Sequence, residues 1–537
     1  MTISNVHDYP YASKRSLCFA KNGMVATSQP LAAQVGLDIL KRGGNAIDAA
    51  IATAAALTVV EPTCNGIGGD AFALVWVKGK LHGLNASGPA PNKLSAAAVK
   101  AAGHETMPLY GWTSVTVPGA PASWAALSEK FGKLPFELLM QPATDLAREG
   151  YPVSPTISAL WEKAFQTYTS HFTEPSTAHW HQTFAPNGQA PKAGEIFSNE
   201  ALAQTLECIG KTKAQAFYRG ALADKIDQFS RETNGYLRKS DLEKYQVEWV
   251  EPIKVDYKGY SIWEIPPNGQ GMIALMALNM LKEDQFTHRE SADTYHRQIE
   301  AMKLAFTDGR KYITQADHMQ QSVADLLSDQ YAKTRRALIT DTAQQPLPGK
   351  PKAGGTVYLA CADNEGNMVS FIQSNYHDFG SGVVIPDTGI AMQNRGHNFS
   401  LDAHHANYLK PNKKTLHTII PGFITKGSSA VGPFGVMGGF MQPQGHMQVV
   451  MNMIDFNLNP QAALDAPRWQ WLENKNIALE HQVPRQIVDA LKARGHNIKI
   501  ELDATEFGRG QIITRDPVSG VLAGGTEPRT DGHIAVW

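Results

Sequence analysis

The sequence predicts a mixed α/β chain, and three observations carry that prediction. The chain opens as helix, helix, glycine-rich loop and apolar strand; helical periodicity dominates 154–317; and 356–376 reads as a buried β-hairpin. With 43% hydrophobic and 18% charged residues among 537, the composition supports a packed core and excludes disorder for most of the chain. The 49 Lys+Arg nearly balance 50 Asp+Glu, a net charge of −1, so no cationic excess exists to hold nucleic acid.

Taken in order, residues 1–23 show no apolar run before a small-residue cleavage site, so secretion is not expected and a cytoplasmic location is. Leu31, Val35 and Ile39 recur at helical spacing over 29–42, and Gly43-Gly44 permits the left-handed exit. Asn45 can cap a second helix, 46–58, whose alanines allow close packing. The apolar stretch 47–60 contains Asp48 and falls short of the ~20 residues a membrane span needs, so it reads as a buried helix and no membrane is expected. A turn-rich loop, 61–70, then leads into an apolar strand, 71–77.

Two helical patterns follow between 122 and 150, then further helices at 199–210, 213–229, 271–283 and 291–312. Strands 253–257 and 260–264 are joined by Lys258-Gly259. The stretch 340–355, with three prolines and almost no apolar residue, reads as an exposed, flexible segment. It runs directly into 356–363, where Val357, Leu359 and Cys361 alternate with Tyr358, Ala360 and Ala362, so both faces are apolar and the strand should be central.

A threonine at that junction suits a nucleophile freed by cleavage. Cutting between Gly355 and Thr356 would give Thr356 a free α-amine, whose pKa of ~7.7–8.0 lets it take the proton of the neighbouring hydroxyl near neutral pH. The same threonine is equally a β-branched residue that favours a strand start.

Several further motifs decide between these. Gly43-Gly44-Asn45-Ala46-Ile47-Asp48-Ala49-Ala50, the Gly66–Gly69 loop, Gly355-Thr356-Val357-Tyr358, Gly438-Gly439 and Asp465-Ala466-Pro467-Arg468 together resemble, in order along nearly the whole chain, the γ-glutamyltransferase family of N-terminal-nucleophile hydrolases. The resemblance implies a four-layer αββα sandwich and an autocleaved proenzyme, with 1–355 as the large subunit and 356–537 as the small one. It assigns Thr356 as nucleophile and Gly438 and Gly439 as the oxyanion hole, where bare backbone amides meet a tetrahedral intermediate. Ser374 falls on the hydroxyl that orients the nucleophile, or else bonds its own backbone.

Departures from the family pattern bear on substrate. The family's arginine for an α-carboxylate is Ser87 here, its aspartate for an α-ammonium is Asn398, and its Ser-Ser pair is His417-Thr418. Arg395 stands where the family has an uncharged residue, and a guanidinium binds carboxylate bidentately, unless it pairs with an acid such as Asp378. With Tyr376, these form the expected substrate-binding set. The combination resembles the divergent branch that includes oxamate amidohydrolase of purine breakdown and cephalosporin-acylase-like proteins, and implies hydrolysis of a small amide bearing a carboxylate without an amine. Hydrolysis or transfer of γ-glutamyl groups from glutathione is the alternative within the family; an uncut binding protein is the alternative outside it.

Other features point away from a cofactor. The eighteen histidines show no H-E-x-x-H spacing, the four cysteines (Cys18, Cys64, Cys208, Cys361) contain no C-x-x-C, and the Gly66–Gly69 loop precedes a strand rather than a helix. Neither metal nor organic cofactor is expected. The expected partners are a small-molecule amide substrate and the chain's own two cleavage products, paired as a heterodimer or a dimer of heterodimers.

Overall fold

Two seven-stranded antiparallel sheets lie face to face. The computed structural model describes residues 10–12, 15–172, 174–346 and 355–537. The first sheet runs His533–Val536, Gly23–Thr27, Gly355–Asp363, Met368–Tyr376, Asp70–Val77, Lys80–Ala86, Glu248–Val250; the second runs Cys18–Ala20, Leu522–Thr526, Arg509–Arg515, Ser429–Met437, Gly422–Lys426, Tyr260–Glu264, Ile253–Tyr257. Tyr358 packs where a side chain on Gly435 would stand, and Trp76 stacks on Phe423 at 5.9 Å, so the inner faces of the two sheets form one interface. Helices Pro30–Lys41 and Ala46–Val60 cover the first sheet, and Gly271–Leu281 and Gln442–Ile454 cover the second. This is the αββα arrangement that the resemblance implied.

The local reasons are legible. Asn45 accepts from the amides of Ile47 and Asp48 while Asp48 accepts from Asn45, a reciprocal cap. Asp363, from the hairpin turn, accepts from the Ala46 amide at 2.8 Å and so ties the hairpin 355–376 to the positive end of that helix. All fifteen residues of Ala46–Val60 are buried, and a Cβ on Gly36 would stand 2.2 Å from Thr53 Oγ1, which is why the helix pair needs glycine and alanine. Each buried Leu, Ile or Val contributes about 1.5–3 kcal/mol.

The hairpin occupies the middle of its sheet, and the strand pair Ile253–Tyr257 and Tyr260–Glu264 has the expected bounds. The helix expected over 213–229 is instead two, Gln215–Tyr218 and Ala221–Glu232, because Lys213 and Ala214 have positive φ and Gly220 separates the halves. Of the segment expected to be flexible, 347–354 lies outside the described residues. Its first part is held: Ala343 N–H donates to the Arg494 carbonyl at 2.7 Å, Gln344 N–H to Glu300 at 3.0 Å, and Lys303 to the Gln344 carbonyl at 3.2 Å. Among the described residues no helix is long and apolar enough to cross a membrane.

Candidate active site

The strand Gly355–Asp363 meets its partner with a bulge. Gly355 pairs with Tyr376 and Val357 with Gln373, so the single residue Thr356 faces two, Ser374 and Asn375. Tyr376 has φ +81°, a region L side chains rarely adopt, and its amide donates to Ser374 Oγ at 2.8 Å. Thr356 donates its hydroxyl to the same Ser374 Oγ at 3.2 Å, and Gln442 Nε2 stands 3.5 Å from Thr356 Oγ1. Gln442 is fixed in turn by accepting from the Ile420 amide at 2.9 Å. Thr356 is 1% exposed.

Gly438 and Gly439 end the strand Ser429–Met437 with φ of +137° and +56°. The Gly438 carbonyl accepts from Met441 N–H at 2.9 Å, which in a trans peptide turns the Gly439 N–H to the opposite side. Gln270 Nε2 donates to the Gly439 carbonyl at 2.9 Å and to the Thr418 carbonyl at 2.6 Å, joining this turn to the 417–418 pair. Arg468, from the Asp-Ala-Pro-Arg motif, is buried behind it: it donates to the Phe507 and Gly508 carbonyls at 3.0 and 2.8 Å and pairs with Glu527 at 2.8 Å. A Cβ on Gly438 would come within 3.1 Å of Gly508 Cα, so the motif's arginine holds the loop against which the glycine turn rests.

Arg395 begins the 3-10 turn Arg395–Asn398 and is fully buried. Its Nη1 donates to Thr418 Oγ1 at 2.6 Å and its Nη2 to Ser374 Oγ at 3.2 Å, while its guanidinium lies 4.5 Å from the centre of the Tyr376 ring. Among the described residues no carboxylate lies within ion-pair distance of it, and the alternative partner Asp378 is not in contact. Burial lowers the Arg395 pKa to about 10, against the opposing pull of Asp70 and Tyr376, so it stays cationic near neutral pH. A cation touching the hydroxyl that is bonded to Thr356 can hold an anion beside that threonine.

The other expected binding residues divide. Thr418 faces Arg395, as described. His417 instead sends Nε2–H to Asp70 at 3.0 Å and accepts the Ile419 amide at Nδ1; burial, with Arg395 and Lys414 nearby, holds it well below the ordinary histidine range and therefore neutral. Ser87 is engaged by Asn85 at 2.7 Å and Asn268 at 3.1 Å, and Asn398 donates to the Leu416 carbonyl at 3.2 Å, so both side chains are taken up by neighbouring loops. Asp70 was not assigned a role from sequence. It accepts from Gln393 at 2.9 Å and the Gly119 amide at 3.1 Å, and burial pushes its carboxyl up to about 7 against the lowering effect of Arg395. The signal for it was a lone acid where a wholly apolar strand begins. Gln442, also missed, stands at the helix start after the glycine pair.

One trio, His296, Glu300 and His496, brings metal-type ligand atoms within 4.8 Å of one another. Lys303 Nζ sits 2.6 Å from Glu300, His296 Nδ1 shares a 2.8 Å hydrogen bond with His496 Nε2, and His296 Nε2 meets the Thr340 carbonyl at 2.7 Å. An ammonium thus occupies the carboxylate, and the trio serves to anchor the segment beginning at 340.

Residues 32–537 match the family Gamma-glutamyltranspeptidase. The chain is 36% identical over 520 residues to the glutathione hydrolase-like YwrD proenzyme of Bacillus subtilis strain 168, covering 95% of this chain and 97% of that one. It is 33% identical over 532 residues to the oxamate amidohydrolase proenzyme of Klebsiella pneumoniae, covering 96% and 98%. The crystal structure of cephalosporin acylase from Bacillus halodurans superposes with a TM-score of 0.96 at 61% identity, covering 99% of each chain. The chain belongs to the gamma-glutamyltranspeptidase family and is an N-terminal-nucleophile hydrolase acting on amide bonds.

Proposed function

We propose that this protein is made as a precursor that cuts itself between Gly355 and Thr356 and then hydrolyses the amide of a small substrate carrying a carboxylate on its acyl half. In the first step Thr356 Oγ1 attacks the Gly355 carbonyl, the Gly355–Thr356 C–N bond breaks to give an ester, and water opens the ester to leave 1–355 and 356–537 associated. In the second, the freed α-amine of Thr356 takes the hydroxyl proton as the oxygen attacks the substrate carbonyl. Gly438 and Gly439 N–H groups receive the oxyanion, the amine leaves with the proton, and water releases the acid.

Arg395 is the observation that carries the substrate reading: a buried guanidinium that forms no ion pair among the described residues, bonded to Ser374 and Thr418 beside Thr356. Asn398 offers no charge for an ammonium. An oxamate-type substrate fits, losing ammonia and leaving oxalate, and the names of the Klebsiella and Bacillus halodurans relatives support amide substrates other than γ-glutamyl compounds. A cytoplasmic location belongs to this proposal, supported by Cys18, Cys64, Cys208 and Cys361 all being free, which suits a reducing compartment.

The test compares two products from the cleaved enzyme: ammonia from oxamate and the chromophore from a γ-glutamyl anilide. Faster turnover of oxamate supports the reading; turnover of the anilide alone moves the function to glutathione-type substrates.

A further inference from the structure

The helix Gln442–Ile454 carries three buried glutamines, Gln442, Gln444 and Gln448. Two of them bond the strand Trp469–Glu473 through both ends of the side chain. Gln444 accepts from the Trp471 amide at 2.7 Å and donates to the Trp471 carbonyl at 3.1 Å; Gln448 accepts from the Trp469 amide at 3.2 Å and donates to the Trp469 carbonyl at 3.0 Å. Gln442 is used differently. Its Oε1 accepts from the Ile420 amide at 2.9 Å, which fixes the amide group with Nε2 toward Thr356. Among the described residues Nε2 meets no acceptor but Thr356 Oγ1, and that at 3.5 Å, long for an N–H···O bond. One of its two hydrogens is thus weakly bonded and the other has no acceptor, in a side chain wholly shut off from water. Leaving a buried donor so little used is costly unless another state of the site uses it.

The state that would use it is the one in which charge appears. When Thr356 Oγ1 bonds to a carbonyl carbon, an electron pair of the C=O bond moves onto the carbonyl oxygen, two bonds from Oγ1. A donor that touches Oγ1 only loosely at rest, and meets that oxygen once it is charged, favours the transition state over the ground state. Gln442 follows the turn Gly439–Met441 directly, so its side-chain amide and the backbone amides of the glycine pair come from one short stretch, 438–442. Self-cleavage has the greater need of such a donor, because the nitrogen of Thr356 is then still part of a peptide bond and cannot act as a base.

We propose that Gln442 is a further catalytic residue, its side-chain amide donating to the oxyanion formed when Thr356 attacks, alongside the N–H groups of Gly438 and Gly439. It acts in self-cleavage and in turnover alike, and it takes no part in binding the substrate before attack. This rests on the reading above that Thr356 is the nucleophile, but not on which amide the enzyme hydrolyses.

The experiment follows, by intact-mass spectrometry, how fast newly synthesised full-length chain divides in the wild type, Gln442→Met and Gln442→Glu. The first variant removes the donor without adding charge; the second removes it while keeping an acceptor for the Ile420 amide. Both are expected to slow self-cleavage by about 10²-fold, with unchanged denaturant midpoints when each is combined with Thr356→Ala so that all the chains compared are uncut. The cut form of each should show a similar fall in kcat for oxamate at unchanged KM. Cleavage of Gln442→Met at the wild-type rate overturns the proposal. So does a slow Gln442→Met beside a normal Gln442→Glu, which would leave Gln442 only the task of holding the Ile420 amide, and so does slowing matched by a lowered midpoint or a raised KM at unchanged kcat. If the wild type divides at Gly355–Thr356 but leaves oxamate untouched, the substrate reading fails and the cleavage rates still decide the role of Gln442. A wild type that stays whole overturns both.

Discussion

The end of this site proposed to hold the nucleophile and the end proposed to recognise substrate are built from different materials. Thr356 and Ser374 lie on central strands and the Gly438–Gly439 turn ends another, and in the proposed mechanism they act through backbone geometry: a bulge, a positive φ, an amide turned outward. Arg395, Thr418, His417 and Asn398 sit on connections between strands and are held through their side chains: Arg395 bonds Thr418, His417 bonds Asp70, and Asn398 bonds the Leu416 carbonyl. Chemistry common to a family can stay fixed in the sheets while loop side chains change what is bound. Ser374 is the hinge between the two, since its oxygen accepts from both Thr356 and Arg395.

Substitutions at each end should separate them. The largest effect is expected from Thr356→Ala, which removes the nucleophile and should abolish self-cleavage and lower turnover by about 10⁴-fold or more; cleavage at the wild-type rate would take Thr356 out of the mechanism. Gly438→Ala forces a side chain into φ +137° and against Gly508, and should cost on the order of 10²-fold in kcat with little change in KM. Arg395→Ala should act in the opposite sense, raising KM about 10- to 100-fold for a carboxylate-bearing amide and far less for a neutral one. Equal effects on the two substrates would make Arg395 a structural residue and erase the contrast.

The smallest effect concerns stability. Asp70 ionises near 3.8 when exposed and near about 7 in the folded chain, where burial is the main cause. Between those values the folded state holds a proton that the unfolded chain has released, so this group's contribution to stability falls as pH rises from about 4 to about 7. Asp70→Asn does not titrate, and its unfolding free energy relative to wild type should therefore rise across that window. A difference independent of pH, measured by denaturant unfolding, would contradict the assignment.

The same division explains what could be read in advance. The hairpin, the capped helix at Asn45 and the strand pair at 253–264 declare themselves through short-range patterns, and the Gly-Thr and Gly-Gly motifs mark the chemistry. Most strands of the second sheet, from 422 onward, were not assigned because their pairing partners are distant in sequence: Gly422–Lys426 lies beside Tyr260–Glu264. For the site, residue types placed Arg395 in the substrate region, but whether it pairs with Asp378 or faces Ser374 depends on a long-range approach that no local pattern encodes. Likewise nothing in the sequence around His417 shows that Asp70, 347 positions away, takes its proton donor.

Self-cleavage at the Gly355–Thr356 bond is the claim on which nucleophile, base and subunit division all depend. Intact-mass spectrometry of the purified protein under denaturing conditions tests it directly. The 58.5 kDa chain should resolve into pieces of roughly 39 and 20 kDa, scaled by length, with Thr356 as the new N-terminus of the smaller one. A chain that stays whole on prolonged incubation, or one cut at another bond, would contradict the account.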